Sequence, residues 1–402
     1  MIKFPKELAN LAFRIFGMLS KMSLIFILAK IAPGEIVVWY GTFTVVINYL
    51  LYVVGMDIYN FANREYIVSG DSTGIIRKQF SFYYCQYFVF FILFLFVSGV
   101  YSQLNFIILF ILISEHLCSE LFRIFIFKGK QVKASFIYFV KSFSILIFIL
   151  SYYFYFQSIN ISFIELSWFM SNLLTIFLYF IYSNSLLKSI IKLEFCKEWF
   201  VRALKFSFPF LLSALCSKAI FTFDRVLVKS FLDVEVASMY ILVVSILVGF
   251  NSVMDAVFFS FKSPKIVKSF SDGKIKEFYQ GFLKDGFKLI LIICPLIIAF
   301  IYACTYFYPD KMGGISVYGY VLTTIIFVLI NASQIYHFVL FAYGSGKLIF
   351  KSQLYALLLV GLVLVSLRSY ISFEFVLFLL FIYSLFCLLF KYRYAKRLLN
   401  EI

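Results

Sequence analysis

Apolar residues in this chain come in long blocks. Stretches of about 20 predominantly apolar residues, the length an α-helix needs to cross the hydrocarbon of a bilayer, alternate with short polar connections from one end to the other. The short alternating strands of a membrane barrel would read differently. Taken as spans, the blocks predict helices over 10–30, 36–57, 80–100, 104–124, 134–156 and 163–183. A second set covers 206–228, 236–260, 286–307, 316–342, 350–369 and 373–391. The expectation is an all-α integral membrane protein with about twelve transmembrane helices. The longest hydrophilic connections, 184–205 and 261–285, leave no room for an ordinary soluble domain.

Composition agrees. The 402 residues are 63% hydrophobic, 22% aromatic and 14% charged, with mean hydropathy +0.98; soluble domains carry about 25% charged residues. The polar connections also differ in sign from side to side. With the N-terminus inside, 27 of the 36 Lys and Arg fall in cytoplasmic segments. Only Lys30, Lys229, Lys311 and Arg368 fall outside. Such a bias orients a membrane protein, so both termini are expected in the cytoplasm. The net charge of +16 then reflects topology and attraction to anionic membrane lipids, and no nucleic acid is needed to explain it. The basic start MIKFPKELAN runs into the first span without a small-residue cleavage site, which predicts an uncleaved helix.

Internal similarity suggests two halves, 1–200 and 201–402. EIVVWY at 35–40 matches EVASMY at 235–240 in Glu and Tyr, and VGMD at 54–57 matches SVMD at 252–255. Six helices per half would place both halves in the membrane the same way. They would form two six-helix lobes with parallel pseudo-two-fold symmetry and a transport site between them.

Ionisable residues inside spans are costly and mark function or pairing. The first helix carries Arg14 and Lys21, seven residues apart and so on one face. The seventh carries Lys218 and Arg225 at the same spacing, and the fifth adds Lys141. Together these five predict a cationic central cleft. The competing role for Arg14, Lys141 and Arg225 is snorkelling to headgroups. Candidate coupling or gating groups are the acids Asp57, Glu115, Glu120, Asp224 and Asp255, with Glu165 a further intramembrane acid. His116, Glu120 and Arg123 form one polar face of the fourth helix, where Glu120 is expected to pair with Arg123. His337 is expected to be a satisfied core histidine. The seven cysteines have no framework spacing and are expected to pack as small apolar residues. Trp39, Trp168 and Trp199 are expected at membrane interfaces.

There is no Walker motif, HExxH, paired CxxC or GxSxG, hence no cofactor, no metal and no enzyme expected. The short outer loops also argue against a membrane polymerase.

FTFDRVLVKSFLDVEVASMYILVVS, residues 221–245, resembles the seventh-helix signature of the polysaccharide-repeat-unit flippases, the O-antigen flippase family. An apolar residue precedes Asp-Arg, an apolar run follows, and a Tyr opens the next helix. LAKIAPGEIVVWYGTFTVVINYLLYVVGMDIYNFANREYI resembles that family's first hairpin, with its Pro-Gly-acid turn and Gly-x-Asp helix end. Asp233-Val234 stand where the family commonly has Gly. The family belongs to the multidrug/oligosaccharidyl-lipid/polysaccharide exporter superfamily. The resemblance implies translocation of undecaprenyl-pyrophosphate-linked oligosaccharide, of O-antigen or capsule type, across the bacterial cytoplasmic membrane. It implies a polysaccharide polymerase and a chain-length regulator as partners. The rival readings are a multidrug or organic-ion exporter of the same superfamily and a polytopic polysaccharide polymerase.

Overall fold

The computed structural model describes residues 6–69, 72–100, 105–271, 273 and 275–400. Lys3 and the loop 101–104 lie outside them. The described residues are helical almost throughout, with no strand. Helices α1 (Lys6–Ile31) and α2 (Gly34–Gly55) are joined by two residues. They are followed by α3 (Ile58–Ser69), α4 (Ser72–Val100), α5 (Phe106–Phe127), α6 (Gln131–Phe156), α7 (Ile161–Tyr182) and the short α8 (Asn184–Ile191). Helices α9 (Lys197–Phe231) and α10 (Val234–Met254) come next, then a π turn (Asp255–Phe259) and α11 (Ser260–Ser271). The chain closes with α12 (Ile275–Phe307), one-turn α13 (Pro309–Met312), α14 (Val317–Ala342), α15 (Gly346–Ser366) and α16 (Phe373–Asn400).

Eleven of these helices are long and apolar enough to cross a membrane. The twelfth predicted span is α5, which has the same 22 residues as α2 and α7. At 1.5 Å per residue it is about 33 Å long, enough for a bilayer core. Glu115, Glu120 and Arg123 set it apart from the other spans. The chain is therefore a multi-pass membrane protein. Its outward surfaces are apolar: Phe88, Phe96, Tyr155 and Leu362 are each more than 60% exposed. Patches of that kind are rare on soluble monomers.

The element order runs twice. Helix α1 ends at Ile31 and α2 starts at Gly34; α9 ends at Phe231 and α10 starts at Val234. The second helix of each series then breaks at an Asp. Met56 and Asp57 adopt left-handed φ of 47° and 55°, whereas Asp255 opens the π turn. Helices of 12 residues follow both breaks. Helices α5 and α14 end alike as well. Gly129 (φ 69°) and Gly344 (φ 67°) reverse the chain in a conformation that suits glycine. Each lets the next amide reach back to a carbonyl of the last turn, Lys130 N to Phe125 O at 2.8 Å and Ser345 N to Leu340 O at 2.9 Å.

Two compact units result. One comprises Met1–Lys21 with Val46–Leu211, the other Met22–Val45 with Leu212–Ile402. Residues 22–45 of the first stretch of the chain belong to the second unit. Inside the first, Phe80, Tyr83, Phe125, Tyr179 and Trp199 form a core around Ile58. Two expectations for tryptophan change. Trp199 is 1% exposed and donates its indole N–H to Glu65; Trp168 is 7% exposed and donates to Glu115. Both are buried donors that satisfy a carboxylate, not interface anchors. Trp39 is half-buried and stacks on Phe43 at 4.8 Å.

Candidate functional site

Two polar clusters lie in the first unit. The first is built on α5, α6 and α7. Lys141 Nζ donates to Glu115 Oε1 at 2.6 Å, and Trp168 Nε1 donates to Glu115 Oε2 at 2.7 Å. Ser171 Oγ meets Ser144 Oγ at 2.7 Å and donates to the Lys141 carbonyl at 2.7 Å. Lys21 is exposed on α1 but lies within electrostatic reach of Glu115. Both Glu115 oxygens thus accept a hydrogen bond, one charge-assisted, which is how a protein holds a charge away from water. Lys141 does not snorkel; its partner is a carboxylate.

The second cluster surrounds Glu120, which is completely buried. Arg123 pairs with Glu120 Oε1 one turn along α5, as its i, i+3 spacing predicts. From α4, Gln79 Nε2 and Tyr83 OH each donate to Glu120 Oε2 at 2.8 Å. His116 Nε2 stands 3.9 Å from Glu120 Oε1, and its Nδ1 meets Tyr87 OH at 2.7 Å. The Arg123 guanidinium lies 3.6 Å over the Tyr59 ring, a cation–π contact. Gly55 closes the group, because a Cβ there would stand 2.6 Å from His116 Nε2. Asp57 sits at the adjoining bend with Oδ1 buried and without a partner. Burial pushes its carboxyl up to about 6, against the pull of the Arg123 charge.

In the second unit, Asp224 and Arg225 of α9 are buried to 2% and 4% exposure. Asp224 Oδ2 accepts from Tyr240 OH at 2.7 Å and Oδ1 accepts from the Arg225 amide at 2.6 Å. Arg225 Nη1 donates to the Gly41 carbonyl of α2 at 2.6 Å. A Cβ on Gly41 would stand 2.4 Å from Ile241 Cγ2, so glycine permits the close approach of α2 that brings this carbonyl to Arg225.

Of the other residues singled out, Arg14 is buried, donates to Ser135 Oγ at 3.2 Å and covers the Phe122 ring at 5.8 Å. Lys218 is half-buried on α9. Asp255 is exposed, with Ser260 Oγ at 3.4 Å. The structure therefore joins Glu115 with Lys141, and Asp224 with Arg225. Asp57 lies within electrostatic reach of Glu120 and Arg123.

No family model matches the chain, and no curated protein matches it in sequence. Solved structures do. A eukaryotic MATE transporter, AtDTX14, is similar at TM-score 0.68 and 12% identity, over 97% of this chain and 95% of that one. A MATE protein in complex with MaD5 gives 0.66 and 12%, over 98% and 96%. An outward-facing multidrug resistance MATE family transporter of the MOP superfamily gives 0.62 and 11%, over 99% and 97%. The fold is MATE-like. At this identity the likeness is one of backbone, and it covers both units.

Within the MATE-like scaffold, several partners escaped the reading of the sequence. Gln79 and Tyr83 sit in an aromatic run that reads as lipid-facing or core. Gly41 carries its signal in a backbone carbonyl, which no side-chain pattern reveals. Tyr240 was visible as a repeat mark and as the residue opening a helix, but not as a partner of Asp224.

Proposed function

We propose that the chain is a membrane exporter of the MOP superfamily, moving an amphiphilic organic ion by alternating exposure of a binding site to the two sides of the membrane. The observation that carries this reading is the MATE-like fold over 97–99% of the chain, in neighbours described as transporters. The buried ion pairs of the spans supply polar groups of the sort that transport sites use. Exposed Lys21 and half-buried Lys218 add positive charge along the spans, which suits a cargo with negative charge.

A second reading narrows the cargo to an undecaprenyl-pyrophosphate-linked oligosaccharide in a bacterial inner membrane. One observation favours it. The Asp-Arg and Tyr of the stretch resembling the repeat-unit flippases form one hydrogen-bonded group, and its remaining member, Gly41, comes from the other resembling stretch. A motif whose members touch is a physical unit. In this reading basic side chains of the spans replace water around the pyrophosphate, and the polymerase and chain-length regulator act on the exported unit.

Deletion of the gene in its host tests both. Surface polysaccharide is read on gels, the leaflet of lipid-linked repeat units by accessibility to added enzyme, and drug sensitivity by growth. Repeat units trapped inside establish the narrower cargo. Raised sensitivity to organic ions with normal polysaccharide establishes the broader reading alone. Single repeat units reaching the outer face point to a polymerase. No change in any readout, in a host without a redundant exporter, overturns the proposal.

A further inference from the structure

Among the described residues, three Lys or Arg are buried: Arg14, Arg225 and Lys391. The first two have the partners given above. Lys391, at 3% exposure, makes no hydrogen bond and no ion pair with any described residue. The sequence places it among the basic residues of the cytoplasmic end, yet most of its side chain is covered. It lies on the buried stripe of α16 that runs through Leu380, Ser384, Cys387 and Ala395, a spacing of three and four that marks one helix face.

The group beside it is in the same condition. His337 of α14 lies within electrostatic reach of Lys391, and the neighbours Tyr336 and Tyr392 fix the level, their rings meeting at 5.3 Å. The sequence reading expects a satisfied core histidine here. Instead His337 makes no hydrogen bond, and its Nδ1 is buried without a partner. Two basic side chains therefore sit together inside the second unit with all their donors unused. A buried polar nitrogen without a partner, as His337 Nδ1 is, costs about 1–3 kcal/mol.

We propose that Lys391 and His337 form a binding site for a phosphate-class anion, carried on a lipid headgroup or free in solution. An ammonium with three donors and an imidazole N–H match the several acceptor oxygens of a phosphate. The surroundings suit an anion too. Arg393 and Lys396 are exposed within two turns on α16. Lys347 and Lys351 are exposed at the start of α15, which the three-residue connection from α14 holds at the same end. These charges concentrate anions at the mouth of the bundle. The site lies apart from the clusters of the candidate transport path and does not depend on the cargo.

The test uses the full chain in detergent, read by thermal unfolding. One arm titrates inorganic phosphate against potassium chloride of equal ionic strength. The other compares phosphatidylglycerol with phosphatidylcholine in mixed micelles. Wild type and Lys391→Arg are expected to gain about 2 °C at ten times the dissociation constant. Lys391→Met should show no gain and His337→Phe a reduced one. Response to phosphatidylglycerol alone assigns a lipid headgroup, and response to inorganic phosphate assigns the bare anion. Absence of any gain in wild type, or an equal gain in Lys391→Met, overturns the site. Should Lys391→Met not fold, an undiminished response in His337→Phe does the same.

Discussion

The Glu115–Lys141 pair can be separated into structure and function by a double-mutant cycle. At 2.6 Å and an effective dielectric near 20, the gross attraction is about 6 kcal/mol. Withdrawing both charges from water offsets most of it, so the pair as a whole is worth little against an apolar pair. Removing one partner is different, since the other stays buried, at about 3–5 kcal/mol. Lys141→Met should fall at the low end, because Glu115 keeps the Trp168 N–H at 2.7 Å and the nearby charge of Lys21. Glu115→Gln should cost at least as much, since the ammonium then faces only an amide. The double variant should lose about 1–2 kcal/mol, giving a coupling of at least about 4 kcal/mol. Thermal unfolding in detergent checks the three values. Single losses that simply add in the double variant would refute the pairing. Export adds the second readout: a double variant that regains stability and still fails to export marks Lys141 as a residue that touches cargo.

Four further outcomes follow from individual contacts. Asp57 has a folded-state pKa raised from 3.8 to about 6, so the folded state holds its proton longer than the unfolded chain does. Its contribution to stability is lost as pH rises from about 4 to about 6, up to about 3 kcal/mol. Asp57→Asn, which also tolerates the left-handed φ, should match wild type below pH 4 and exceed it above pH 6 in melting experiments. Tyr240→Phe strands the buried Asp224 Oδ2 and should cost about 1–3 kcal/mol, read as a lower unfolding temperature. Gly41→Ala forces a Cβ to 2.4 Å from Ile241 and should cost about 1–3 kcal/mol. Its export should fall more than that of Ile241→Ala/Gly41→Ala, which removes the clashing Cγ2. Trp199→Phe removes the donor to Glu65 and should lower the melting temperature, with near-normal export in the surviving folded protein.

The spans were legible because hydropathy is a local property. A block such as 373–391 is apolar on its own, and α16 starts at the predicted residue, Phe373. The repeat was legible for the same reason: its marks, Glu35 with Tyr40 and Glu235 with Tyr240, sit at helix starts that the chain fixes locally. The twelfth span shows where local reading meets its limit. Helix α5 carries three ionised groups, and only Gln79, Tyr83, Lys141 and Trp168, from three other helices, make that tolerable. Charge placement could be read from the sequence, but charge compensation could not. Arg14, Lys141 and Arg225 looked alike as basic residues in apolar runs. Their partners are a serine, a carboxylate and a backbone carbonyl.

Asp224-Arg225 shows why such a pair is worth retaining in a hydrophobic chain. Adjacent residues on a helix point about 100° apart, so the two side chains cannot share one face or form a bidentate pair. Each instead reaches a different element: Asp224 holds Tyr240 of α10, and Arg225 holds the carbonyl of Gly41 in α2. The one strong local contact, Asp224 Oδ1 to the Arg225 amide, fixes the carboxylate rather than the guanidinium. The dyad is therefore a junction between three helices, and its net charge near zero keeps the desolvation cost low. Neutralising Arg225 alone, as in Arg225→Met, leaves a buried carboxylate and loses the link to α2. Asp224→Asn preserves that link and keeps an acceptor for Tyr240. If the junction matters for export through the α2 contact, Arg225→Met should abolish export while Asp224→Asn retains most of it, at equal amounts of folded protein. Equal losses in both would mean that the charge of Asp224, not the geometry of the junction, is what transport requires.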